Sequence, residues 1–152
     1  SCGQTQPTLS SSDMNLASVT AVSSRCLFRA MQMDKNTQRP LCGAGSSQLG
    51  ARENIDIRPD DQGNVQPGKG GMSVTPDDPK RLPPHYRPQS LGGLGRLPVF
   101  SISEQQLGQD LVYRPDPKKP TQHGFIEPGM MMKQTLYQNA LAKTEKDWSL
   151  VP

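Results

Sequence analysis

Long apolar runs are missing from this sequence, and aromatic residues are few. Of 152 residues, AVILMFWYC types make 32% and Phe, Trp and Tyr only 5%. No stretch reaches the roughly 18 consecutive apolar residues that a membrane-spanning helix needs, so no span is expected. No heptad pattern is sustained, which excludes a coiled coil, and no repeat of roughly 20–50 residues marks a solenoid. There are only two histidines and three cysteines. With no C-x-x-C pair and no His cluster, a structural zinc site is not expected. Standard catalytic signatures are absent too: no nucleophile elbow, no P-loop, no H-E-x-x-H and no G-x-G-x-x-G. Gly92-Gly-Leu-Gly95 is too short and follows no strand, so it reads as a loop.

Proline and glycine are plentiful, at 15 and 14 residues. They leave only the C-terminus long enough for a substantial helix. Seventeen basic residues against 14 acidic ones give a net charge of +3. The basic residues are scattered, which reads as solvated surface charge rather than a nucleic-acid face. An odd cysteine count leaves at least one thiol unpaired. Cys26 lies in an apolar run and reads as a small buried residue, and a Cys26–Cys42 bridge would suit a secreted form. The chain begins at Ser1, so an upstream segment removed, or an excised domain, is the expectation. Residues 1–20 read as a flexible lead-in with one short helix near Asp13–Ser18, and 21–152 as a single domain.

Along the chain, Val22–Met31 reads as a first strand with a bulky apolar centre. Residues 34–69 read as loop with a helical turn near Ser46–Leu49. Gly70–Pro76 is a short strand entered through a double glycine and stopped by proline. Asp77–Pro88 is an extended connection. Leu97–Ser103 is a strand, and Pro98 suggests an edge or first-residue position. Ser103-Glu-Gln-Gln106 fits a capping box for a short helix that ends at Gly108. Asp110–Arg114 and Gly124–Glu127 are further strands. From Lys133 to Trp148 a helix is expected, with Leu136, Tyr137, Ala140, Leu141, Thr144 and Trp148 on one face. The fold class is α+β: five or six short strands, one terminal helix and long loops.

Three segments put polar groups inside or beside strands. Arg29 lies in Leu27-Phe-Arg-Ala30. A buried Arg needs an anion, and its planar fork suits a phosphate, while the alternative is a solvent-facing Arg. Gly70 and Gly71 precede Ser73 in Gly70-Gly-Met-Ser-Val74. Paired glycines let a backbone approach a ligand, and Ser73 offers a hydroxyl to a ribose or to a neighbour. The alternative is an ordinary turn into a strand. His123 and Glu127 lie four apart in His123-Gly-Phe-Ile-Glu-Pro128, so both face one side of a strand. Glu127 could stabilise a cationic sugar carbon, and His123 could bond a ribose hydroxyl or orient a nucleophile. The alternative is a surface His and a strand-ending Glu. A Cys42–His123 nucleophile pair has nothing in the sequence to position it.

In order, and together with the helix through Ala140-Leu141, these three segments resemble the bacterial type VI secretion toxin family named for its second exported effector. The resemblance spans about residues 25–148, carried by some 25 positions. It implies an ADP-ribosyltransferase-like fold, a split and twisted sheet whose cleft holds NAD. Arg29 would contact an NAD phosphate or ribose, Ser73 would brace the nicotinamide ribose, and His123 would face the cleft from a third strand. Glu127 departs from the toxin pattern, but ADP-ribosyltransferases at large use a late-strand Glu, which makes it a candidate catalytic acid. The implied activity is mono-ADP-ribosyl transfer from NAD to a protein or nucleic-acid acceptor. Alternatives are a non-enzymatic interaction module on the same fold, an NAD glycohydrolase, and a small nuclease using His85 and His123. The implied setting is an effector secreted or delivered into a target cell, acting in its cytoplasm as a monomer, with an immunity protein as partner.

Overall fold

Short apolar runs bounded by glycine and proline become the strands. A computed structural model describes residues 25–152. The expected lead-in and its short helix lie outside the described residues. In chain order the elements are β1 (Cys26–Ala30), β2 (Asn64–Val65), β3 (Met72–Pro76), β4 (Val99–Ser103), β5 (Leu111–Pro115), β6 (Gly124–Pro128), β7 (Met132–Lys133), α1 (Gln134–Ala142) and β8 (Ser149–Leu150). Six strands form one antiparallel sheet in the order β5-β6-β3-β1-β4-β8, and β2 and β7 pair separately. The α+β reading therefore holds at the level of a six-stranded antiparallel sheet with one helix. Among the described residues no helix is long and apolar enough to cross a membrane.

The sheet is two well-zipped parts joined by a short seam. β1 and β4 pair over five residues, and so do β5 and β6. β1 and β3 pair only at Leu27 with Pro76 and Phe28 with Thr75, although each strand has five residues. Beyond that seam the edges of the two parts separate.

The main core includes Leu27, Phe100, Ile102 and Ile126 from the sheet, with Tyr137 and Leu141 from α1. Each such side chain, fully buried, contributes about 1.5–3 kcal/mol. A second cluster joins Phe28, Ala30, Leu82 and Val99. The Tyr137 hydroxyl is buried between two strands. It accepts from the Met72 N–H at 3.0 Å and donates to the Ile126 carbonyl. It thus ties β3, β6 and α1 together at one point.

Several elements differ from expectation. The helix spans nine residues, not the whole of Lys133–Trp148. Thr144 ends it: its hydroxyl donates to the Leu141 carbonyl and accepts from Trp148 Nε1, and a 3₁₀ turn follows. Leu136 is 56% exposed, because the buried stripe runs through Tyr137, Ala140 and Leu141 instead. The 77–88 connection is not extended but forms 3₁₀ turns at Pro79–Arg81 and Pro84–Tyr86, followed by a third at Gln89–Leu91. Proline at the first helical position has its φ already set for such a turn, and the Asp78 carboxylate accepts the Lys80 N–H. The helix after Ser103 is a 3₁₀ turn, with the Gln106 side chain accepting the Ser103 N–H at 3.0 Å. Cys26 is half-buried and disulfide-bonded, while Cys42 is a free thiol, so no Cys26–Cys42 bridge forms.

Tyr137→Phe removes both hydroxyl bonds and strands a buried N–H and a buried carbonyl, so it is expected to lower stability by about 1–3 kcal/mol. Urea unfolding measures this, and an unchanged midpoint would show that the hydroxyl is not a tie.

Candidate functional site

Where β1 and β3 part, a cleft of about 220 Å³ opens between them. Its walls include three consecutive residues of β1, Phe28, Arg29 and Ala30, and three of β3, Ser73, Val74 and Thr75. Side chains on one face of a strand alternate, so three in a row cannot line a face. They line a gap between two strand edges. Arg29, Ser73 and His123, expected from three separated segments, all border this one cleft.

Arg29 spans the gap. Nη1 donates to the Ser73 carbonyl at 2.9 Å, and Nη2 donates to the Gln48 and Ser46 carbonyls at 2.9 and 3.3 Å. The residue is only 9% exposed, so the solvent-facing alternative does not hold. Every partner is a neutral carbonyl, and Nε is buried with no partner. Burial pushes the guanidinium down to about 10, with nearby Asp56 opposing the shift. It is still a cation at neutral pH. Asp56, the acid of the cleft, is engaged by Arg52, with Nε 3.0 Å from Oδ2 and Nη2 3.1 Å from Oδ1. Lys119 adds a further cation to the wall, and Tyr86 supplies an aromatic ring. With Asp56 already paired, the cleft retains an excess of positive charge beside a ring. Such a site suits an anionic ligand with a flat base.

His123 does not lie within a strand but immediately before β6. It closes the β5–β6 hairpin, where the Asp116 N–H donates to its carbonyl at 3.0 Å. Its Nδ1 is 2.8 Å from Asp116 Oδ2. The hydrogen bond to His123 holds the Asp116 carboxyl below its ordinary 3.8, helped by the Lys118 N–H. The imidazole packs edge-on against Phe125, with ring centroids 4.8 Å apart.

Glu127 lies elsewhere. It is 1% exposed and does not border the cleft. Oε1 accepts from the Gly68 N–H at 2.9 Å, and Oε2 accepts from the Gly70 N–H at 3.2 Å and from Arg114 Nε at 2.8 Å. This carboxylate ties the loop before β3 to β5. Gly70 and Gly71 are also outside the cleft. Gly70 has φ +98°, and a Cβ on Gly71 would overlap the Ile126 carbonyl oxygen. Their close approach is to the protein's own backbone. The Cys42 thiol donates to Glu145 Oε2 at 3.2 Å and does not border the cleft with His123. Burial, with the Glu145 bond adding to it, pushes that thiol up to about 11, so it stays protonated at neutral pH. No group of three His, Cys, Asp or Glu suited to a metal occurs among the described residues.

No motif in the sequence marks Arg52, Asp56, Tyr86, Lys119 or Asp116 as site residues. They sit in loops or, for Tyr86, in a 3₁₀ turn, where no periodicity marks them. The one available signal was Asp116 and His123 bracketing a proline-rich turn between two strand candidates.

The class the structure defines is an α+β protein built on a six-stranded antiparallel sheet with one helix. No family model, no curated protein and no solved structure matches the chain.

Glu127→Gln keeps the shape but sets an amide against donors, so it is expected to cost about 1–3 kcal/mol. Chemical unfolding at neutral pH checks this. Wild-type stability in the variant would contradict the tie between the loop and β5.

Proposed function

We propose that the chain is a mono-ADP-ribosyltransferase-like toxin or effector domain, resembling the type VI secretion family named above, and that the gap between β1 and β3 holds NAD. The observation that carries this reading is the meeting of Arg29, Ser73 and His123 in one cleft. Transfer from NAD breaks the nicotinamide–ribose bond through an oxocarbenium-like state. It needs a fixed ribose, a held pyrophosphate and restricted water more than a strong enzyme nucleophile. Arg29 and Lys119 supply cations for the phosphates, Ser73 and Thr75 line the wall with hydroxyls, and Tyr86 offers a stacking face. The strand edges beyond the seam carry backbone groups of the kind that pair with a carboxamide. Glu127 has no part in this assignment, since its carboxylate is committed to Gly68, Gly70 and Arg114. The acceptor is a macromolecule in a target cell, and an immunity protein would protect the producer.

Purified protein incubated with labelled NAD is expected to release nicotinamide. Label recovered in an acceptor from cell extract means transfer, while free ADP-ribose alone means hydrolysis. No release, with or without extract, would favour a non-enzymatic interaction module. Arg29→Ala and His123→Ala are each expected to abolish growth inhibition in an expressing host while keeping the wild-type circular dichroism spectrum. Arg29→Lys, which keeps the charge but loses the fork, is expected to weaken NAD binding by about tenfold or more. Full toxicity in folded variants would remove the cleft assignment.

A further inference from the structure

His123 is held in a way that ribose contact alone does not require. Asp116 Oδ2 takes the hydrogen bond of Nδ1 at 2.8 Å. An ionised carboxylate only accepts, so the proton of the neutral ring sits on Nδ1 and the lone pair on Nε2. Asp116 is itself fixed, with Oδ1 accepting the Lys118 N–H at 2.9 Å and its own N–H bound to the His123 carbonyl at 3.0 Å. The ring is further clamped by Phe125 at an interplanar angle of 78°. Among the described residues Nε2 has no hydrogen-bond partner, and His123 borders the cleft. The other charged groups bordering that cleft are Lys119 from the same hairpin, Arg29 from β1, and the Arg52–Asp56 pair from the loop before β2.

We propose that Asp116 is a positioning residue that presents His123 Nε2 as the general base for an attacking hydroxyl, which makes an alcohol the acceptor chemistry of the cleft. This rests on the transferase reading above. The step balances as follows. The bond between ribose C1′ and the nicotinamide nitrogen breaks, and its electron pair leaves with neutral nicotinamide. A lone pair of the hydroxyl oxygen forms the new C1′–O bond. The hydroxyl proton passes to Nε2, and the resulting imidazolium is paired with the Asp116 carboxylate. An anionic acceptor would have no proton to give up and no use for this arrangement.

Two small nucleophiles separate the roles. Methanol carries a proton that must be removed, whereas azide carries none. The whole chain and its Asp116→Asn and His123→Ala variants would be incubated with NAD plus either reagent, and the methyl glycoside and glycosyl azide measured by chromatography. Asn at 116 can donate to Nδ1 and so favours the wrong tautomer. Methyl transfer is expected to fall about 100-fold or more in both variants. Azide transfer and NAD affinity should stay near wild type in Asp116→Asn, whose altered side chain does not border the cleft. Equal loss with both nucleophiles in folded Asp116→Asn, or no loss with methanol in either variant, would overturn the base role. A wild-type chain that neither binds NAD nor releases nicotinamide would sink the transferase reading, and the base role with it.

Discussion

A positive charge without a carboxylate partner governs this molecule. Arg29 is drawn into the gap where β1 and β3 separate and satisfied there by the carbonyls of Ser46, Gln48 and Ser73. Neutral acceptors cannot cancel a charge, and an unpaired buried charge is costly. The depressed guanidinium and its unpartnered Nε express that cost. The cation is retained where β1 and β3 part, and an arriving anion would lower its electrostatic cost.

The rest of the fold is arranged to keep that gap open. A fully paired β1–β3 ladder would close it, so the two halves of the sheet must be held by other means. Tyr137 pins β3 to β6 from the helix side. Glu127 gathers the loop before β3 and the Arg114 side chain of β5. Gly70 and Gly71 allow the chain to pass close to Asp56 and Ile126. On the other half, β4 runs the full length of β1. The result is two strand edges facing one another across a space that residues of the segments 46–56, 82–86 and 119–123 wall in. Loops on a firm scaffold are where binding groups are commonly displayed.

How far the sequence could be read depended on the length scale of each feature. The five-residue strands were legible, because a run such as Leu27-Phe-Arg-Ala30 or Leu111-Val-Tyr-Arg114 between turn residues has few other uses. The two-residue pairs β2, β7 and β8 were not, since they exist only through partners distant in the chain. The helix's position is legible but its length is not, because the Thr144 hydroxyl bonds that stop it leave no mark on periodicity. Arg29, Ser73 and His123 were legible as polar residues in or beside strands. Glu127 is legible for the same reason, but its chemistry is not: on a strand, spacing cannot tell a ligand-facing carboxylate from one that ties the protein's own loops. The Asp116 orientation of His123 and the Arg52–Asp56 pair required the hairpin and the loop to close first.

A crystal structure with NAD or a non-hydrolysable analogue bound tests the central claim most directly. The dinucleotide is expected between the edges of β1 and β3, with its nicotinamide ribose against Ser73 and His123 and its phosphates near Arg29. A dinucleotide bound elsewhere on the molecule, or an empty cleft at saturating ligand, would contradict it.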